Sequence, residues 1–165
     1  MENLVFWSKN KKYGMFIKKS IFNEINNMCK ESKNNETGGI LIGVYTKDHY
    51  CAKVKKITGP PIDSIQNKTW FERGINGLVE ILGRFWVRNK QYYLGEWHYH
   101  PNSSSDASYT DIQQMYNISA STKYNCPEPI LFIIGGSIKQ GFSKKVYVFP
   151  KDANFIKLNI LCNIK

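Results

Sequence analysis

"GEWHYHPNSSSDASYTD", residues 95–111, decides how the rest of the chain is read. If residues 94–100 form a strand, its period of two sends Glu96, His98 and His100 to one face and Trp97 and Tyr99 to the other. The chain then turns at Pro101, crosses a polar loop and enters a helix near Ser108, whose first turn holds Ser108 and Asp111 at i, i+3. Two imidazoles thus end a strand and a carboxylate begins the next helix, so the three converge.

Taken singly, each feature has a plain structural explanation. A histidine alone is more often a surface or core residue than a ligand, and S-x-x-D alone is a capping box. Jointly they are harder to assign to chance, because the chain has only three histidines and two of them fall at strand spacing ahead of the cap. Two histidines and one carboxylate, with nothing closing the fourth position, describe a catalytic rather than a structural zinc site. Imidazole and carboxylate suit other divalent metals as well. His49 has no comparable setting and reads as structural or exposed, and Asp106 as a residue that orders the loop.

Working outward, residues 20–32 carry Ile21, Phe22, Ile25, Met28 and Cys29 at helical spacing behind a Ser20 cap. "GGILIGVYT" reads as a buried strand and "HYCAKVKKITG" as its neighbour, while the prolines of "GPPIDSIQNKTW" make residues 59–70 a loop. Ile75, Leu78, Val79, Leu82 and Trp86 predict a second helix over 74–88, which feeds the strand of the opening motif. "SYTDIQQMYNISAS" predicts a third, with Ile112, Met115 and Tyr116 on its apolar side. "EPILFIIGGS" and "KKVYVFP" read as two closing strands. Helices alternate with strands and there are no repeats, so the expected architecture is α/β, a sheet covered by helices.

The 165 residues suffice for one sizeable core and are too few for two, so a single domain over 1–165 is expected. "MENLVFWSKNKK" lacks the h-region of a signal peptide, and "PILFIIGG" is far shorter than the roughly 20 residues of a membrane-spanning helix. Cys29, Cys51, Cys126 and Cys162 form no C-x-x-C pair, so neither a structural zinc cage nor a redox motif is signalled, and reduced thiols in a soluble, cytoplasmic protein are expected. The net charge of +10 admits a nucleic-acid-binding module as an alternative. The basic residues are scattered rather than set along one helix, which favours compositional drift.

The run His98-Tyr99-His100, seven residues, Ser108, two residues, Asp111 resembles the H-x-H-x7-S-x-x-D signature of the JAMM/MPN metalloproteases. That resemblance covers most of the chain and implies the family's fold, a single curved mixed β-sheet flanked by helices. It implies Zn2+ held by His98, His100 and Asp111, with Ser108 stabilising the tetrahedral oxyanion of amide hydrolysis. It also implies an upstream glutamate as general acid and base, which "ETGGILIG" supplies as Glu36. Glu96 competes for that role, since spacing alone does not separate the two. Tyr99 departs from the small Ser or Thr usual between the histidines.

Members of that family commonly cut after the C-terminal tail of ubiquitin or a ubiquitin-like modifier. "TGPPIDSIQNKTWFERG" is placed to clamp such a tail. The compact form and "GEWHxHP" resemble bacterial members that accompany E1- and E2-like proteins in antiphage systems such as CBASS, where the peptidase reverses conjugation of a nucleotidyltransferase. A non-catalytic scaffold of the same family is the other alternative; scaffolds usually lose ligands, and this chain keeps the full set. The H-E-x-x-H of zincins and the P-C-x-x-C of zinc deaminases do not occur.

Overall fold

A computed structural model describes residues 3–161. In chain order its elements are β1 (Leu4–Trp7), β2 (Gly14–Ile17), α1 (Lys19–Glu31), β3 (Thr37–Tyr45), β4 (Cys51–Ile57), β5 (Ile65–Gln66), β6 (Phe71–Glu72), α2 (Leu78–Asn89), β7 (Tyr92–Pro101), α3 (Tyr109–Ala120), β8 (Ile130–Ser137), β9 (Gly141–Val148) and β10 (Ile156–Leu161). Eight strands form one closed barrel in the order β1-β10-β9-β8-β7-β3-β4-β2, while β5 and β6 pair as a separate two-residue ribbon. The pairs β2·β4 and β7·β8 are parallel and the other pairs in the barrel antiparallel.

The barrel is mixed because α3 carries the chain from β7 back to a parallel β8, the crossover that parallel pairing requires. Its closure rests on β1, β2 and β10, which the sequence reading did not pick out. β1 and β2 have four residues each, too few to show alternation, and Lys- and Asn-rich turns surround them.

Every barrel strand contributes to one core, including Phe6, Met15, Leu41, Val54, Trp97, Phe132, Val146 and Leu158, and α1 adds Ile21, Phe22, Ile25 and Cys29 to it. A second core joins β3, β7, β8 and β9 to α2 and α3 through Ile40, Tyr93, Leu131, Tyr147, Leu78 and Met115. The two cores therefore lie on opposite faces of the barrel wall.

Two helices differ from expectation in detail. α1 starts after Lys18 with no side-chain cap, so Ser20 sits within the first turn rather than capping it. α2 buries Leu78 and rests Ile81, Leu82 and Phe85 on the second core, leaving Ile75, Val79 and Trp86 exposed by 70%, 79% and 52%. Two apolar stripes overlap in that sequence, and the sheet lies under the one at 78, 81, 82 and 85.

β7 carries a bulge. Leu41 faces Gly95 while Ile42 faces Tyr93, so Leu94 has no partner on β3. Gly95 takes φ +148, and a Cβ there would lie 1.9 Å from the Ile130 carbonyl oxygen. The extra residue shifts the alternation, which places Tyr93 on the same face as Glu96.

The segment between β4 and α2 is stitched to itself. The Asp63 carboxylate accepts from the backbone N–H groups of Ile75 and Asn76, and the Ser64 hydroxyl accepts from that of Gly74. Those two backbone bonds hold the Asp63 carboxyl below its ordinary range. A depressed folded-state pKa means that the tether is present above the ordinary value and is lost as pH falls through the lowered one. Acidification is expected to shift the amide proton resonances of Ile75 and Asn76 with a midpoint below the ordinary 3.8. A midpoint at or above 3.8 would show that the tether does not form.

Candidate metal centre

β7 delivers His98 and His100 from its C-terminal half, and α3 delivers Asp111 from its first turn. Between them, residues 102–107 are held down by an Asn102 N–H bond to the Gly136 carbonyl and by the exposed Asp106. Asp106 pairs with Lys145 and accepts from Ser104 and Tyr147, so it orders the loop. Ser108 is the N-cap of α3: its hydroxyl accepts from the Asp111 N–H, and the Asp111 carboxylate accepts from the Ser108 N–H at 2.8 Å. The capping box and the convergence on the histidines are thus one device, because the reciprocal bonds aim the carboxylate.

Asp111 bridges both imidazoles. Its Oδ1 lies 2.8 Å from His98 Nδ1 and its Oδ2 3.3 Å from His100 Nε2, while Oδ2 also accepts from the Ser108 hydroxyl at 2.7 Å. Burial alone would raise the Asp111 carboxyl, but the bonds from His100, His98 and Ser108 hold it well below the usual carboxylate range. All three side chains are buried. One potential ligand atom from each lies within 4.8 Å of the others, the one such His/Cys/Asp/Glu group among the described residues. Two imidazole nitrogens and a carboxylate oxygen at that spacing fit a divalent ion such as Zn2+.

Glu36 immediately precedes β3. Thr37 opposes Tyr99, so Glu36 falls at the level of His100, and its backbone N–H bonds the Asn67 carbonyl of the 58–77 segment. Burial raises its carboxyl, Asp111 adds to that, and His100 and His98 pull it down, so it senses all three donors. Gly38 opposes His98, and a Cβ there would lie 3.0 Å from His98 Cδ2 and 2.8 Å from Phe71 Cε1. Its bare backbone leaves room for Phe71 to meet the His98 ring edge-on at 5.5 Å.

Tyr99 points away from the cluster into the first core and donates to the Gly136 carbonyl at 3.0 Å. His49 lies in the exposed turn between β3 and β4. Cys29, Cys51 and Cys126 are free and buried, and Cys162 lies outside the described residues.

Glu96 shares the histidine face but is fully enclosed. Its Oε1 accepts from Arg73 Nε at 2.8 Å and from the Tyr93 hydroxyl at 3.4 Å; its Oε2 faces His98 Nε2 at 3.1 Å and Gln114 Nε2 at 3.2 Å. Burial would raise this carboxyl, yet His98 and Arg73 hold it low, as an ionised group. For the His98 imidazole, burial pulls down but Asp111 and Glu96 push it up to about 9. Sequence reading missed Arg73, Tyr93 and Gln114. Gln114 alone carried a signal, being one turn after Asp111 on α3.

Barrel and cluster together define a protein with a buried three-donor group at the junction of a strand and a helix. No family model matches the chain. It is 35% identical over 158 residues to a CD-NTase/cGAS isopeptidase of Enterobacter hormaechei subsp. hoffmannii, covering 96% of this chain and 87% of that protein. A CD-NTase/cGAS isopeptidase of Escherichia coli is 31% identical over 126 residues, covering 75% of this chain and 72% of that one. The chain belongs to the CD-NTase/cGAS isopeptidase family, and is an isopeptidase by that membership. Its fold is similar to the solution structure of protein DSY2949 from Desulfitobacterium hafniense, with a TM-score of 0.57 at 16% identity over 87% of this chain and 86% of that one. No helix among the described residues is long and apolar enough to cross a membrane.

Proposed function

We propose that this chain is a zinc-dependent isopeptidase of the JAMM type that works in the cytoplasm and removes a ubiquitin-like modifier from a conjugated nucleotidyltransferase. The setting is a CBASS-type antiphage system whose E1- and E2-like proteins make the conjugate. The observation that carries this reading is the buried His98–His100–Asp111 group with Glu36 at its edge. The name of the two relatives, CD-NTase/cGAS isopeptidase, supports a nucleotidyltransferase conjugate as the substrate.

Bound at these three residues, a zinc ion supplies a Lewis acid and lowers the pKa of water. The chain's own groups do the rest. Glu36, half-buried and outside the donor set, takes the proton of the attacking water and returns it to the leaving lysine amine. The Ser108 hydroxyl, which donates to Asp111 Oδ2 in this structure, would turn its proton from that carboxylate to the developing oxyanion. The 58–77 segment touches Glu36 through Asn67 and His98 through Phe71, which suits it to hold an extended tail against the site.

The test is cleavage of modifier fusions with several ubiquitin-like tails, and of a modifier–nucleotidyltransferase conjugate. Activity is expected to vanish on treatment with a chelator and to return with Zn2+. Cleavage that survives metal removal would overturn the reading.

A further inference from the structure

The His98 ring has a carboxylate on each side, and the two are unlike. Asp111 belongs to the donor group, on Nδ1. Glu96, on Nε2, is surrounded by Arg73, Tyr93 and Gln114, so both its oxygens are engaged within the protein. That arrangement leaves it no open position for substrate or solvent, which removes it as a competitor to Glu36 for proton transfer.

We infer that Glu96 is a positioning residue of the metal centre: by accepting from His98 Nε2–H it leaves Nδ1, the nitrogen facing Asp111, as the ligating atom, and Arg73 holds Glu96 in that orientation. This rests on the zinc reading above and adds to it a residue outside the metal-binding signature. An outer carboxylate on a ligating histidine fixes its tautomer and ring orientation, and its loss typically costs 10- to 100-fold in metal affinity or activity.

Arg73 extends the argument. It lies one residue after β6, in the segment between β4 and α2, and its guanidinium spans Glu96 through Nε, the Gly74 carbonyl through Nη1 and the Tyr124 hydroxyl through Nη2. The segment that touches Glu36 and His98 through Asn67 and Phe71 therefore also anchors the outer carboxylate. A residue that contacts none of the three donors is coupled to how tightly they hold the ion.

The experiment is zinc affinity by competition with a chromophoric chelator, together with the visible spectrum of the cobalt-substituted protein, on wild type, Glu96→Ala, Glu96→Gln and Arg73→Ala. Circular dichroism confirms which variants fold. Glu96→Ala is expected to bind zinc about 10- to 100-fold more weakly with altered cobalt bands. Glu96→Gln, which keeps an acceptor oxygen for His98, is expected to recover part of the loss, and Arg73→Ala to weaken zinc binding without touching a donor. If the single variants do not fold, Glu96→Gln combined with Arg73→Met, which removes both buried charges and leaves an acceptor that Arg73 no longer holds, is expected to fold, to bind zinc more weakly than wild type and to show shifted cobalt bands; wild-type affinity and spectrum in it would overturn the inference. Folded Glu96→Ala protein with unchanged affinity and spectrum would overturn this inference and leave the function intact; wild type that takes up no metal would overturn both. A lowered melting temperature with an unchanged cobalt spectrum would assign Glu96 to structure alone, again against it.

Discussion

Glu36→Ala is expected to abolish isopeptide cleavage while the protein keeps its metal. The carboxyl is not among the three donors, and it is the chain's backbone at this position, through the bond to Asn67, that holds the neighbouring segment. Truncation should therefore leave the fold and the ion in place and remove only the group that moves the proton. General acid–base groups contribute on the order of 10^2- to 10^4-fold, and the effect should lie toward the upper end because one residue serves both transfers. Metal content measured beside the cleavage rate separates the two functions. Full activity in this variant would remove Glu36 from the mechanism.

Asp111→Ala is expected to lose metal and activity together, and some stability with them. This carboxylate bonds His98, His100 and the Ser108 N–H and hydroxyl, so its removal dissolves the donor group and takes away one half of the capping box, while the Ser108 hydroxyl still accepts from the backbone N–H at position 111. His98→Ala is expected to share the loss of metal and activity while keeping both halves of the capping box, since the bonds between Ser108 and Asp111 do not involve the ring. Metal analysis, cleavage and thermal unfolding of both variants distinguish the two patterns. Stoichiometric zinc in Asp111→Ala would break the donor assignment.

The centre of this molecule could be read from its residues, the periphery much less. β7 and α3 announced themselves because alternation and the S-x-x-D cap are local signals, and the same residues carry His98, His100 and Asp111. β1, β2 and β10 carry no comparable signal; pairing with partners distant in the chain is what makes them strands. The bulge at Gly95 is equally invisible, for it is a mismatch of register between two strands, and so the meeting of Tyr93 with Glu96 was hidden. Arg73 sits in what reads as an undistinguished loop, and its place against Glu96 follows from the segment folding back on Asp63 and Ser64. The buried face of α2 went astray because two stripes of similar quality overlap and only the sheet chooses between them.

The union of β1 with β10, in which Val5 lies opposite Leu161, bears on how the protein is born. Domains on the ribosome consolidate from the N-terminus, and contacts between distant residues form late because a large loop must first be closed. β1 must then wait, with only β2 for company, until β10 has left the exit tunnel. The stretch from Glu36 to Ser137, which holds the whole donor group, can assemble meanwhile, so a nascent chain would acquire its chemistry before the seam between β1 and β10 is sewn.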